Sequence, residues 1–204
     1  SRPLQRPLGA ATRHDYTTEL WTRGATWAQT AVYFDGVPLF NPLHAAGAVS
    51  AVNPDAVGAV FFHPGVQPAE LAGGAAGLVD LRTRRGGDVL RGAGELSLLS
   101  VRAAADGSAL DGRLSWMAAA RRSHLDLLGV GIRALGGDSA GAVPYGFSDL
   151  AARVDLRLGG GARLEASGIH EADRLDGEVP GMVREADARW GSSAGRATLA
   201  VPLL

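Results

Sequence analysis

The pattern with the strongest link to covalent chemistry is Gly191-Ser192-Ser193-Ala194-Gly195, which matches the G-x-S-x-G turn of serine hydrolases. In hydrolases that use this turn, the catalytic histidine follows the serine in the chain. Here all five histidines precede it: His14, His44, His63, His124 and His170. The residues around the serine also predict a strand where the motif requires a helix. We therefore predict no catalytic residue and no enzyme.

Metal and cofactor sites have equally little support from residue spacing. There is no cysteine, and no two histidines form an H-x-H or H-x-x-x-H pair. The segment Gly129-x-Gly131-x-x-Ala134 resembles a dinucleotide loop but lacks the strand–helix–strand context that such a loop needs. A net charge of -1 provides no overall basic field for nucleic acid. We expect no metal, no cofactor and no nucleic-acid partner.

The elements that must position any site are two-faced strands, which begin at about residue 91. From Asp149 to Leu158 the even positions are apolar, and the odd positions are mostly charged. This period of two predicts a strand with one apolar and one polar face. Arg153, Asp155 and Arg157 lie on the polar face. The same alternation, less regular, predicts a strand over residues 113–121.

The connections between these strands differ in length. Those at Asp111-Gly112 and Gly159-Gly160-Gly161 are short, whereas residues 125–146 and 175–186 form long segments. Alternating short and long connections are typical of an outer-membrane β-barrel. A soluble β-sandwich also has two-faced strands, so the pattern alone leaves both open. Strand parity predicts two strands within residues 93–110, joined near Ser100, and about six strands in all, too few to close a pore.

The first part of the chain carries a series of short motifs in a fixed order. Thr22-Arg23-Gly24 precedes the apolar run that ends in YFDGVPLFNP at residues 33–42. The segments NPDAV at 53–57 and PAELAGGAAG at 68–77 follow. Asp35-Gly36 predicts a turn, because glycine adopts positive φ without a steric penalty. Asn53-Pro54-Asp55 predicts a capped turn at the start of a short element.

In this order, residues 17–86 resemble the plug domain of TonB-dependent outer-membrane receptors. Residues 113–127 also look like an early barrel strand of that family. The resemblance implies a mainly β fold: a partial plug, which is a small α+β globule, followed by antiparallel strands of an incomplete transmembrane β-barrel. The implied domains are residues 1–90, the C-terminal part of the plug, and residues 91–204, about six N-terminal barrel strands.

The resemblance also implies a function and a location. The chain is expected to be a fragment of a receptor that takes up a scarce solute across the bacterial outer membrane, in contact with outer-membrane lipid. TonB is the implied partner, although the TonB box and the first half of the plug are absent from this sequence. The implied solutes are siderophores, cobalamin, glycans and peptides, which the sequence does not distinguish. The alternative is a soluble or secreted all-β ligand-binding module.

Two sets of site residues follow from this resemblance. The plug is expected to fit a polar lumen, because a charge on the lipid face near the membrane midplane costs about 2–4 kcal/mol. The expected contacts between plug and barrel are Arg23, Glu70, Arg82, Arg84, Arg153, Asp155 and Arg157. The expected solute contacts are Phe40, Asn41, Leu43 and His44. For Phe40 and Leu43 the alternative is packing within the plug. Trp116 and Trp190 are expected at the membrane interface or on the lipid face.

Overall fold

The computed structural model describes residues 10–11, 20–71, 73–125, 145–178 and 185–202. Within them the chain forms two parts. The N-terminal unit comprises the described residues up to Leu90, and the six-stranded sheet comprises those from Arg91 onward. No helix in the described ranges is long and apolar enough to cross a membrane.

The N-terminal unit is built from short strands and single turns of 3-10 helix. Its central sheet has the order β4-β3-β8-β7, with β3 and β8 parallel and the other neighbours antiparallel. Two small antiparallel pairs, β1 with β2 and β5 with β6, lie beside it. The strands are β1 (Ala10–Ala11), β2 (Trp21–Thr22), β3 (Thr30–Phe34), β4 (Val37–Pro38), β5 (Leu43–His44), β6 (Val49–Ser50), β7 (Val57–His63) and β8 (Gly77–Thr83). The 3-10 turns are Trp27–Gln29, Ala45–Gly47 and Pro54–Ala56.

The two turns predicted in this unit are present. Asp35 and Gly36 have φ of 48° and 81°, and they join β3 to β4 as a two-residue hairpin. The carboxylate of Asp35 accepts hydrogen bonds from the Thr83 amide at 2.9 Å and the Thr83 hydroxyl at 2.6 Å, which fix the hairpin to β8. The Asn53 side chain caps the turn that starts at Pro54 by accepting from the Asp55 amide.

The six-stranded sheet is an antiparallel meander in which each strand pairs with the next in the chain. The described residues form an open sheet, with β9 and β14 at its edges, as the predicted incomplete barrel requires. Two strands precede the one that begins at Leu114, which agrees with the parity argument. The strands are β9 (Arg91–Leu96), β10 (Ser100–Ala109), β11 (Leu114–Ser123), β12 (Tyr145–Arg157), β13 (Arg163–Glu178) and β14 (Glu185–Ala200).

The two ends of this sheet differ in their connections. At the turn end, residues 110–113 and 158–162 make tight links. The opposite end, which we call the loop end, includes residues 97–99; the predicted long segment 125–146 lies largely outside the described residues. The prediction of a long loop over residues 175–186 is wrong, because β13 and β14 stay paired as far as Glu178 and Glu185. Continued pairing satisfies backbone groups on both strands, and the glycine and acidic residues of this segment do not interrupt it.

The polarity of the sheet is the reverse of that in a soluble protein. On β12, Asp149 and Asp155 are 4% and 5% exposed and face the N-terminal unit. Leu150 and Val154, at alternate positions, are 49% and 39% exposed on the other face. A soluble sandwich requires the opposite arrangement, with leucine and valine in the core and the charges in water. We call the two sides the inner face and the outer face.

An apolar band joins the two parts of the molecule. One continuous buried cluster contains side chains from both the N-terminal unit and the inner face of the sheet. Its members are Phe34, Leu39, Val52, Ala56, Ala104, Met117, Ala119, Ala151 and Ile169. The expectation of a polar lumen is therefore incomplete. Four of the five sheet residues in the cluster are no larger than isoleucine, and three are alanines, so the unit can approach the strands closely and exclude water.

Candidate functional site

The inner face carries two polar clusters, one on each side of the apolar band. Both bring side chains of the N-terminal unit against side chains of the sheet. The loop-end cluster consists of His44, Arg121, Tyr145, Asp149, Glu171 and Asp173. The turn-end cluster consists of Asp35, Thr83, Arg84, Arg85, Asp106, Arg153, Asp155, Arg163 and Glu165. These clusters and the band between them form the candidate site.

His44 is the centre of the loop-end cluster. It ends β5 and is 1% exposed, with its ring stacked on Phe147 at a centroid distance of 4.5 Å. Its Nδ1 lies 2.9 Å from Oδ2 of Asp173, and its Nε2 lies 3.7 Å from Oδ2 of Asp149. The imidazole of the N-terminal unit therefore sits between carboxylates of two adjacent strands of the sheet.

The surroundings of His44 favour its charged form. Burial by itself lowers the pKa of His44, but the carboxylates of Asp149 and Asp173 outweigh burial, and the pKa is raised above its ordinary value. The imidazolium can then make a charge-assisted link to the sheet. This link depends on a proton, unlike any link made by an arginine.

Other contacts in the loop-end cluster hold the backbone of the N-terminal unit. The hydroxyl of Tyr145 donates to Asp173 and accepts from the amide of Ala45 at 2.6 Å. Arg121 bonds to Asp149 at 2.6 Å and donates to the carbonyl of Ser50 at 2.5 Å.

Negative charge exceeds positive charge in this cluster. Asp149, Glu171 and Asp173 are all buried, whereas Arg121 and His44 are its only cationic members. Ser192 donates to Oε1 of Glu171, but Oε2 of Glu171 and Oδ1 of Asp149 have no hydrogen-bond partner among the described residues. The buried carboxylates therefore make the proton on His44 important to the charge balance.

Arg153 is the centre of the turn-end cluster. Its guanidinium bonds to Asp155 at 2.7 Å and to Glu165 at 3.0 Å within the sheet. It also donates to the hydroxyl of Thr83 at 3.2 Å and lies 4.0 Å from Asp35, so it links the sheet to the N-terminal unit. The carboxylates of Asp155 and Glu165 both bond to the guanidinium of Arg153. The link between the sheet and the N-terminal unit at Arg153 therefore leaves few charges unpaired.

A second set of contacts in this cluster runs from the N-terminal unit to the sheet. Arg84 bonds to Asp106 at 2.5 Å and to the carbonyl of Asp55 at 2.6 Å. The next residue, Arg85, reaches Glu165 at 3.2 Å. Arginine at all of these positions keeps its charge across the accessible pH range.

The segment that follows these arginines passes very close to the strands. A Cβ atom at Gly86 would lie 2.2 Å from the carbonyl oxygen of Trp116 and 2.7 Å from that of Gly107. Only glycine allows the chain to lie this close to the backbone of β10 and β11. The connection between the two parts is therefore packed against the sheet.

The seven residues predicted to join plug and barrel fall into two groups. Arg84, Arg153 and Asp155 lie in the turn-end cluster, where the two parts of the molecule meet. The other four lie elsewhere. Arg82 pairs with Asp80 of its own strand, and Arg157 donates to the carbonyl of Gly112 in the adjacent turn, while Arg23 and Glu70 are exposed. The functional role of all seven remains a prediction.

The four predicted solute contacts also have different environments. Phe40 is 91% exposed, and Asn41 and Leu43 are partly exposed. His44 is buried and engaged by Asp149 and Asp173, so in this structure it does not line a surface open to a solute. Solute binding by the other three residues remains a prediction.

Most of the loop-end cluster was missed at the level of sequence. Asp149 lies on the predicted polar face of its strand, and Glu171 and Asp173 alternate in the same way along β13. That alternation indicates a polar face but not its partner, because His44 and Asp173 are 129 residues apart in the chain. Trp190 also faces inward, 6.3 Å from the ring of Tyr145, and not toward lipid as expected.

No metal centre is formed by the described residues, since they hold no group of three or more histidine, aspartate or glutamate side chains suited to a metal ion. The geometry instead supports reversible association of two surfaces. Its chemical elements are ion pairs, one titratable imidazole and an apolar band, and each of these can be broken and remade without covalent change.

Known proteins resemble this chain in three-dimensional structure but not detectably in sequence. No family model and no curated protein matches the sequence. Among solved structures, the iron transporter FrpB of Neisseria meningitidis (F3-3 variant) aligns with 97% of this chain at a TM-score of 0.58 and 15% identity. The siderophore receptor PirA of Acinetobacter baumannii aligns with 98% of this chain at a TM-score of 0.53 and 13% identity.

These alignments cover 34% of the transporter and 41% of the receptor, so the chain spans well under half the length of either. At such low identity the likeness establishes the fold. It agrees with the predicted fold class of partial plug and incomplete barrel. Both comparison proteins are receptors or transporters.

Proposed function

We propose that this chain, which has the fold of part of a TonB-dependent outer-membrane receptor, belongs to a protein that takes up a scarce solute across the bacterial outer membrane. In this proposal residues 1–90 form the C-terminal part of the plug, and residues 91–204 form the first six strands of the barrel. The reversed polarity of the six-stranded sheet is the observation that carries the proposal. A wall with leucine and valine outside and buried aspartates inside suits lipid on one face and a polar plug on the other.

The proposed work of the protein is differential binding, with no covalent chemistry. In the resting state, the two polar clusters and the apolar band hold the plug against the wall. TonB, as the proposed partner, supplies the energy that weakens these contacts and opens a path. Such a step requires that the resting contacts be numerous enough to prevent leakage and individually weak enough to be separated.

An iron complex is the solute class we propose first. One comparison protein is an iron transporter and the other a siderophore receptor, and this provides support by likeness of fold. Phe40, which is 91% exposed, offers together with Asn41 and Leu43 a mixture of apolar and amide groups suited to a small organic chelate. Cobalamin, glycans and peptides are the other outcomes of the test.

The test uses the natural full-length protein that contains this chain, expressed in an outer membrane whose own siderophore receptors have been deleted. Uptake of radiolabelled iron from a panel of siderophores is measured with and without TonB. We expect TonB-dependent uptake of at least one iron complex. Recovery of the protein in the soluble fraction contradicts the receptor proposal, whereas TonB-dependent uptake of cobalamin, a glycan or a peptide corrects the solute and leaves the receptor in place.

A phenylalanine substitution tests the solute contact separately. Phe40→Ala removes an exposed ring and leaves the packing of the plug unchanged, so we expect weaker solute binding with a normal amount of protein in the membrane. Val66→Ala is the matched control, since Val66 is 94% exposed on the same unit and is not a proposed contact. Equal binding by both variants and the unchanged protein contradicts the role of Phe40.

A further inference from the structure

The outer face of the six-stranded sheet has a concave site close to the loop end. Its volume is about 620 Å³. Its lining includes the outer-face positions Arg122, Ser148, Ala172, Arg174, Arg189 and Gly191, together with atoms of the intervening inner-face residues Phe147, Glu171, Asp173 and Trp190. No described residue of the N-terminal unit lines it.

Strand register places the arginines of this site on the outer face. Arg122 of β11 is opposite Ser148 of β12, and Arg174 of β13 is opposite Arg189 of β14. These positions alternate with Phe147 and Asp173, which are buried on the inner face. Because successive side chains point to opposite faces of a strand, the guanidinium groups extend away from the N-terminal unit.

Small residues keep the floor of the site open. Ala172 and Gly191 are directly opposite each other, and Ser148 pairs with Ala172 from the other side. At Gly191 a Cβ atom would lie 2.3 Å from the carbonyl oxygen of Glu171, so a larger residue does not fit there without a shift of the backbone. The result is a shallow groove bounded by long arginine side chains.

The charges around the groove are arranged in layers. Arg174 pairs with Asp176, and Asp176 is opposite Asp187 one step nearer the loop end. On the other side of the groove, His170 and Ser193 are hydrogen bonded to each other at 2.8 Å. A cationic row therefore lies between an acidic row at the loop end and the remainder of the outer face.

Below the arginines, the outer face is apolar. Leu150, Val154 and Leu199 are 49%, 39% and 59% exposed. A ligand that covers both areas needs a negatively charged head and a hydrocarbon tail. We propose that this groove binds the anionic phosphate headgroup of a membrane lipid, with the acyl chains on the apolar face below. The inference rests on the proposed function, because it requires this face to meet lipid.

A lipid fits these observations better than a free phosphate ion. Phosphate alone would use the arginines but would leave the adjoining leucine and valine side chains in water, at a cost proportional to their exposed apolar area. A lipid can contact both the arginines and the apolar side chains. Arginine binds phosphate oxygens through its planar donor groups. We therefore commit to the lipid as the occupant.

The test measures lipid binding by native mass spectrometry on the natural full-length protein in detergent. The probes are phosphatidylglycerol, which is anionic, and phosphatidylcholine, which has no net charge. The variant is Arg122→Gln/Arg189→Gln. The matched control is Arg113→Gln/Arg157→Gln, which removes the same charge from exposed arginines near the turn end. Each arginine near an anionic lipid surface contributes about fivefold to affinity.

We expect the unchanged protein and the control to prefer phosphatidylglycerol, and the Arg122→Gln/Arg189→Gln variant to lose most of that preference. An equal loss in the control, or no loss in the variant, overturns the proposal. Displacement of phosphatidylglycerol by excess inorganic phosphate also overturns it, because the site would then bind a free anion. Unchanged iron uptake by the variant leaves the proposed function intact, whereas failure of the unchanged protein to enter the membrane removes both.

Discussion

The two polar clusters on the inner face hold the N-terminal unit by different chemistry. The turn-end cluster pairs arginines with carboxylates, and every cation in it keeps its charge. The loop-end cluster has three buried carboxylates, one arginine and one histidine. The attachment at the turn end therefore keeps its positive charges at any accessible pH, whereas the attachment at the loop end depends on the proton of His44. An N-terminal unit held in this way can be loosened at one end while the other end stays attached.

The largest expected effect comes from Arg153 of the turn-end cluster. Arg153→Ala leaves Asp155, which is 5% exposed, without its principal partner. We expect a loss of about 3 kcal/mol in the free energy of unfolding, measured by denaturant titration of the full-length protein. The control is Arg157→Ala on the same strand, whose side chain is exposed and donates to a turn carbonyl. A similar loss in both variants would show that the cluster has no special role.

Arg82 lies in β8 and Arg84 directly follows that strand, so substitutions at the two positions can be compared directly. Arg84 contacts Asp106 across the interface, whereas Arg82 pairs with Asp80 within the N-terminal unit. Arg84→Glu places two carboxylates together, so we expect about 2 kcal/mol of destabilisation and increased leakage of a small antibiotic through the outer membrane. Arg82→Glu should leave leakage unchanged. Equal leakage in the two variants contradicts the assignment of Arg84 as the contact.

The linker at Gly86 tests whether close packing is needed at the turn end. Gly86→Ala places a Cβ atom 2.2 Å from a backbone oxygen, and the chain must move away from the sheet. We expect a cost of about 1 kcal/mol for docking the linker on the sheet, which would be seen as faster protease cleavage of the linker in the folded protein. Gly159→Ala is the control, because a Cβ there meets nothing within 4 Å. Resistance to protease in both variants would refute close packing of the linker.

The smallest effect is expected at the loop end, from His44. Its pKa is raised in the folded protein, so its contribution to stability is fully present below the unfolded value of about 6.5 and is lost as pH rises through the raised pKa. We expect the N-terminal unit to become easier to unfold as the pH rises above about 6.5, and His44→Gln to remove this pH dependence. An equal slope in the variant would mean that another group titrates.

The sequence allowed the sheet to be predicted better than the contacts across it. The alternation from Asp149 to Leu158 predicts one polar and one apolar face, and the motifs around Asp35-Gly36 and Asn53-Pro54 predict turns that are present. Both features depend on neighbouring residues. The apolar band could not be predicted in the same way, because Ala119 or Ala151 alone does not indicate what packs against it.

The carboxylate partners of His44 could not be predicted from the sequence either, because they are distant in the chain. Nothing near His44 in the chain marks it as charged, and its carboxylates come from β12 and β13, more than 100 residues later. The loop between β13 and β14 was predicted too long, since glycine and aspartate in residues 175–186 indicate a turn locally. Pairing between the strands keeps residues 175–178 and 185–186 extended.

The central claim is that the outer face of the six-stranded sheet contacts lipid. The most direct test measures whether that face is surrounded by lipid or by water. These 204 residues contain no cysteine, so single nitroxide labels can be placed at Val154→Cys on the outer face and Arg157→Cys at the turn end, once any cysteine elsewhere in the full-length protein is replaced by serine. Both side chains are exposed, and only their surroundings differ in this account. In the full-length protein in bilayers, the label at 154 should collide mainly with oxygen, which concentrates in lipid, and the label at 157 with a water-soluble nickel chelate. Equal collision with the nickel chelate at both positions would contradict a lipid-facing wall.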